Sequence, residues 1–187
     1  MSRTIDLADH GKVLVAVLSD THGKPHPSLL PLLKRNRPDV ILHAGDVGPP
    51  DLISEFEAFG PTAFVRGNMD PTAADWPDTL SLRIVLAGNR KLDLLLVHIG
   101  LTHRKLLPEV WNLLRKKPAR MVVFGHSHMP FVGSESGIAL FNPGSAGPPR
   151  MGLPIAMGWL ELTADGVCFR HTDLKTGREW KPPATKQ

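Results

Sequence analysis

Two histidines separated by one residue, His126 and His128, follow directly on the apolar run Met121-Val122-Val123-Phe124. The same event happens four more times along the 187-residue chain. Val13–Leu18 leads into Asp20-Thr21-His22, Val40-Ile41-Leu42 into Asp46, Ala63-Phe64-Val65 into Asn68, and Leu94–Val97 into His98. Carboxylate, amide and imidazole groups all bind metal ions, and the set contains no thiolate. Such mixed donors suit manganese, iron, zinc or cobalt better than they suit calcium. Seven donors exceed what one catalytic zinc takes, which is three protein ligands and an open position. Divided between two divalent ions, they leave room for a shared water and a substrate oxygen. Asp46, with two carboxylate oxygens, is the natural bridge. Two ions about 3.5–4 Å apart clamp an in-line displacement at phosphorus, and the water between them loses a proton to become the nucleophile.

The elements that must position these donors are legible in the same runs. In an open α/β sheet, ligands bind at the carboxyl ends of the parallel strands, so donors at five strand ends would converge. Val13–Leu18 reads as a strand buried on both faces. Ser28–Arg37 reads as an amphipathic helix with basic residues at its C-terminal end, stopped by Pro38. Asp39–Leu42 is the next strand, Asp51–Phe59 a helix capped by Asp51 and ended by Gly60-Pro61, and Thr62–Val65 a third strand. This order predicts a parallel sheet with right-handed crossovers. Leu80–Leu86 and Lys91–Val97 flank a hairpin turn, and Leu106–Lys117 reads as a helix with Pro108 in its first turn. Beyond Met121–Phe124, the segments Phe131–Ser134, Ile138–Phe141, Ile155–Leu162 and Val167–Thr172 read as antiparallel strands joined by turns. The expectation is an α/β chain of two packed sheets with helices outside, forming one domain over 1–187. The polar tail from about Thr176 to Gln187 alone has the composition of a flexible segment.

Composition narrows the class. Hydrophobic content of 42% and charged content of 21% are those of a globular domain, and the net charge of +4 is compatible with anionic substrates. Lone Cys168 can form no internal disulfide, and Val13–Leu18 is too short to span a bilayer. The expected setting is cytoplasmic, with no membrane partner. Widely spread Trp76, Trp111, Trp159 and Trp180 offer no base-stacking platform, and Arg115-Lys116-Lys117 complements its helix end, so polymeric nucleic acid is disfavoured. A homo-oligomer stays open.

Taken together and in order, Asp20-Thr21-His22, Gly45-Asp46-Val47-Gly48, Gly67-Asn68-Met69-Asp70, Gly125-His126-Ser127-His128 and Asn142-Pro143-Gly144-Ser145 resemble the motifs of the calcineurin-like metallophosphoesterases. In length the chain is similar to the small single-domain bacterial and archaeal phosphodiesterase branch. The resemblance implies a four-layer α/β/β/α sandwich of two mixed sheets. It implies one metal held by Asp20, His22 and His128, another by Asn68, His98 and His126, and Asp46 between them. Asp46, Asn68 and His98 are the expected catalytic positions. A metal-dependent phosphodiesterase acting on a small phosphodiester or nucleotide follows; a dinucleoside polyphosphate hydrolase, or a non-catalytic scaffold of the same fold, are the rivals. Two positions depart from the pattern. Met69 stands where many members have a histidine able to donate a proton, and Ile99 stands where glycine usually follows the strand-end histidine.

Around this set, Asp70 is expected to orient groups at the site or to close a turn before Pro71. Arg66 is expected to salt-bridge Asp70 or touch substrate phosphate. His43 reads as a packed residue behind the ligands, His103 as solvated, and His10, His26 and His171 as surface groups. Asn142–Ser145 is expected to shape the loop beneath the metals.

Overall fold

The computed structural model describes residues 1–72, 75–150 and 152–181. Its strands are β1 (Ser2–Leu7), β2 (Val13–Leu18), β3 (Val40–His43), β4 (Thr62–Phe64), β5 (Thr79–Leu86), β6 (Arg90–Val97), β7 (Leu101–Thr102), β8 (Lys105–Leu106), β9 (Met121–Val123), β10 (Phe131–Glu135), β11 (Ile138–Asn142), β12 (Ala156–Thr163), β13 (Gly166–Asp173) and β14 (Glu179–Trp180). The helices are α1 (Leu29–Asn36), α2 (Asp51–Glu57) and α3 (Pro108–Lys116).

Two six-stranded mixed sheets carry the molecule, in the orders β1-β5-β6-β9-β11-β10 and β14-β13-β12-β2-β3-β4. Strands alternate side chains between faces, so each sheet offers two apolar surfaces, and three hydrophobic clusters result. Val15, Val17, Leu42 and Ala63 of one sheet meet Leu82, Ile84, Leu96 and Val123 of the other in the central core. The neighbouring positions Ala16, Leu18 and Ile41 point the opposite way, under Leu29, Leu33 and Phe56 of α1 and α2. Leu95, Val97 and Val122 turn outward to Val110 and Leu114 of α3. Helix, sheet, sheet and helix are therefore stacked in four layers, each interface closed by residues worth about 1.5–3 kcal/mol when fully buried.

Local chemistry explains the element ends. Arg37 closes α1 in a left-handed conformation, its N–H bonding to the Leu33 carbonyl, and Pro38 forbids continuation. Pro108 occupies the first turn of α3, where its missing N–H costs nothing. Two expectations need correction, and one strand was not expected. Asp51 is the first residue of α2 and makes no capping bond; Pro50 precedes it, and the helix ends at Glu57 rather than Phe59. Ser2–Leu7, with little apolar periodicity, forms an edge strand because β5 supplies a parallel partner along its whole length. Within the polar tail, Glu179 and Trp180 pair with β13, while 182–187 lie outside the described residues.

Topology positions the site. β2, β3 and β4 are mutually parallel in one sheet, and β6 and β9 are parallel in the other. The five donor-bearing strand ends thus belong to two sheets, and the donor groups meet where those two rims face each other across the central core.

Candidate metal centre

Each rim is tied together within its own sheet by backbone. Asp20 N–H donates to the Gly45 carbonyl at 3.0 Å, His22 N–H to Asp46 at 2.9 Å, and Gly125 N–H to His98 at 3.0 Å. Chain direction then reverses sharply, and Asp20, His22, Asp46, His126 and His128 all adopt positive φ, between 48° and 66°. Left-handed backbone is uncommon for residues with a Cβ, and clusters of it occur where function requires it. Glycines provide the close approaches: a Cβ on Gly67 would lie 2.1 Å from both the backbone N and the Oδ1 of Asp46.

One group of donors comprises Asp20, His22 and His128. Asp20 Oδ2 accepts from Ser19 Oγ at 2.6 Å and from the His126 N–H at 3.1 Å. Its other oxygen, Oδ1, is buried without a hydrogen-bond partner and lies 3.3 Å from His128 Nε2. The Nε2 atoms of His22 and His128 face each other at 3.4 Å. Burial alone would raise the Asp20 carboxyl, but the adjacent His128 and Ser19 outweigh it and hold it below the ordinary carboxylate value. It is thereby kept as an anion.

The second group comprises Asn68, His98 and His126. Asn68 Oδ1 lies 3.0 Å from His98 Nε2 and 3.0 Å from His126 Nδ1. His98 Nδ1 is 2.7 Å from the Ala44 carbonyl, an acceptor only, so Nδ1 carries a proton and, in the neutral ring, Nε2 keeps a lone pair. Burial disfavours the His98 cation, yet Asp46 and Ala44 reverse the balance and raise its pKa. Burial and the neighbouring His98 push His126 down instead.

Asp46 stands between the groups. Its Oδ1 accepts the Met69 N–H at 2.8 Å, and its Oδ2 lies 3.9 Å from His22 Nε2 and 3.4 Å from His98 Nε2. Burial would raise this carboxyl too, and its bonds to His98 and Met69 hold it low. Ligand atoms of Asp20, His22 and His128, and likewise of Asp20, Asp46 and His98, fall within 4.8 Å of one another. Two buried carboxylates, facing lone pairs and the orphaned Asp20 Oδ1 make a donor set that fits divalent cations.

The seven sequence-predicted ligand positions are brought together; the surrounding assignments fare unevenly. Arg66 does not meet Asp70: its Nε and Nη2 both bond Asp78 Oδ1, at 2.8 and 2.5 Å. Asp70 instead accepts the N–H groups of Gly48 and Gly67 at 2.9 and 2.8 Å, so it closes the turn beneath Asn68. His43 is buried and its Nε2 lies 2.9 Å from Thr21 Oγ1, which gives its own proton to the Val47 carbonyl. His171 is buried rather than on the surface, its Nε2–H bonding the Asn142 carbonyl at 2.7 Å while its ring stacks on Phe141. Asn142 Nδ2 reaches the Gly125 carbonyl and Ser127 Oγ, bracing the segment that carries His126 and His128. Sequence reading missed Ser19, the hydroxyl on Asp20; its place beside a strand-end aspartate was the available signal.

Residues 13–165 match the model of the calcineurin-like phosphoesterase superfamily domain. A probable metallophosphoesterase of Methanothermobacter thermautotrophicus is 31% identical over 173 residues, covering 88% of this chain and 94% of the relative. The probable metallophosphoesterase YsnB of Bacillus subtilis is 33% identical over 165 residues, covering 85% and 90%. Among solved structures, Vacuolar Protein Sorting 29 from Cryptosporidium parvum shares the fold at a TM-score of 0.73 with 18% identity, covering 91% of this chain and 96% of that one.

Proposed function

We propose, on the premise that the chain belongs to the calcineurin-like phosphoesterase superfamily, that it is a metal-dependent phosphodiesterase with two divalent cations, manganese first among them. Asp20, His22 and His128 would hold one cation, Asn68, His98 and His126 the other, and Asp46 would touch both. When bound, such ions act as Lewis acids that neutralise phosphoryl charge and lower the pKa of water. The observation that carries the reading is the Asp46 carboxylate, with one oxygen fixed by the Met69 N–H and the other directed between His22 and His98.

The chain's own residues favour a diester. Arg66 is engaged with Asp78, so its guanidinium is not free to form the bidentate grip that a dianionic phosphate end would use. Met69 presents a thioether beside Asn68 and cannot transfer a proton, so leaving groups stable as anions are preferred. Cyclic or short nucleotides and dinucleoside polyphosphates fall within the same chemistry. Lone, exposed Cys168 is consistent with a cytoplasmic setting. Among the described residues no helix is long and apolar enough to cross a membrane.

The scaffold reading draws on the likeness to Vacuolar Protein Sorting 29. Titration of the purified protein with Mn²⁺, Ni²⁺, Co²⁺, Zn²⁺ and Mg²⁺ against bis-p-nitrophenyl phosphate separates the two. A phosphodiesterase turns over with at least one ion; no turnover with any of them favours the scaffold.

A further inference from the structure

The two sides of the candidate metal centre share an apolar lining but differ in the groups set into it. On one side lies a cavity of about 330 Å³ in which Val97, Val110 and Leu113 are joined by Arg66, Asp70 and Asp78. On the other, Ile99, Leu101, Phe124, Met129 and Phe131 wall a cavity of about 200 Å³, with His126 on its edge. Ile99 borders both. A dry apolar cavity on the order of 150 Å³ is enough to accept benzene. The Phe124 and Phe131 rings stand 6.3 Å apart and tilted by 54°, an aromatic wall for a flat group.

Three large apolar side chains exposed to solvent, Met69, Ile99 and Met129, directly follow the candidate ligands Asn68, His98 and His128. An apolar rim on a polar catalytic centre calls for an apolar occupant. The cleft is also lined by the β7–β8 hairpin, whose turn residues His103 and Arg104 both adopt positive φ, 48° and 66°. Both line the cavity, so a cationic side chain accompanies the carbon wall next to a site for an anionic phosphoryl group.

We propose that this cleft is the subsite for a planar, apolar ester group of the substrate. The inference rests on the phosphoesterase reading above and deepens it. A phosphodiester has two ester arms, and the two unlike cavities would take unlike ones.

Calorimetric titration of the manganese-loaded protein with phenylphosphonate and methylphosphonate tests this without turnover. Phenylphosphonate is expected to bind about tenfold tighter, from burial of one ring face. In the Leu101→Ala/Met129→Ala variant that preference should vanish while methylphosphonate affinity is unchanged. Met129→Ala alone, at a side chain 51% exposed, should reduce the preference without threatening the fold. Equal affinities in the unaltered protein, or a preference that survives the double substitution, would overturn the proposal. Hydrolysis of bis-p-nitrophenyl phosphate measured in parallel keeps the two readings apart. Turnover without preference, or without binding of either phosphonate, removes the cleft alone, whereas absence of turnover removes the catalytic reading and the cleft's role as a substrate subsite with it.

Discussion

The backbone N–H of Met69 donates to Asp46 Oδ1 at 2.8 Å, so the residue after one candidate ligand fixes the orientation of another. The peptide, not the thioether, does this, and any residue at position 69 except proline would serve. What position 69 contributes to chemistry is therefore free to vary while the carboxylate stays in place.

Asp46→Asn should separate charge from shape. The amide can still occupy the space, but it loses the anion shared between His22 and His98. Activity is expected to fall by more than the roughly 10–100-fold typical of losing an outer-sphere partner. Elemental analysis should show less than full metal content. Full loading with unchanged turnover would mean that Asp46 does not bridge.

Met69→His tests the missing proton. The side chain is 70% exposed, so the substitution should leave the melting temperature unchanged. A correctly placed imidazole contributes about 10²–10⁴-fold when the leaving group is poor. The rate on alkyl phosphodiesters relative to bis-p-nitrophenyl phosphate should rise, and an unchanged ratio would count against a proton-donor role for this position.

Gly67→Ala adds a Cβ that would lie 2.1 Å from the backbone N and the Oδ1 of Asp46. Because that contact involves backbone, the rim must shift. A stability loss of about 1–3 kcal/mol is expected by urea denaturation, together with weaker metal binding. A variant with native stability and native metal affinity would show that the rim yields more easily than its packing indicates.

Acid should weaken the metal-free protein through His43. Burial pushes this imidazole from its ordinary 6.5 down to about 4. Between those values the unfolded chain binds the proton and the folded chain does not, so stability rises with pH across that window. Falling pH should remove on the order of 3 kcal/mol from this group, with nothing further lost below the folded value. His171, also pushed down by burial, adds in the same direction, whereas His98, held above its ordinary value, opposes it. Urea denaturation from pH 7.5 to pH 4.5 should show a shallower slope for His43→Gln than for the parent. Identical slopes would mean that His43 does not carry the dependence.

Much of this was legible because strand ends are punctuated chemically. Val13–Leu18 and Leu94–Val97 are apolar on both faces, and the first polar donor after each marks the rim. What stayed hidden depends on partners distant in sequence. Ser2–Leu7 becomes a strand only because β5 lies beside it. Arg66 chose Asp78 over Asp70, since the backbone N–H groups of Gly48 and Gly67 had already claimed the nearer carboxylate. His171 reads as a surface group from its polar neighbours, yet Phe141 and Trp180 enclose it from other strands.

The left-handed turns under Asp20, His22, Asp46, His126 and His128 give the molecule a built-in mutational slope. Glycine would sit more comfortably at such positions at the expense of the donors, and asparagine at the expense of the carboxylate charge and the imidazoles. A lineage released from selection for catalysis could slide toward those residues while the sandwich beneath stayed intact, and a silent descendant with the same architecture would be the natural end of that drift.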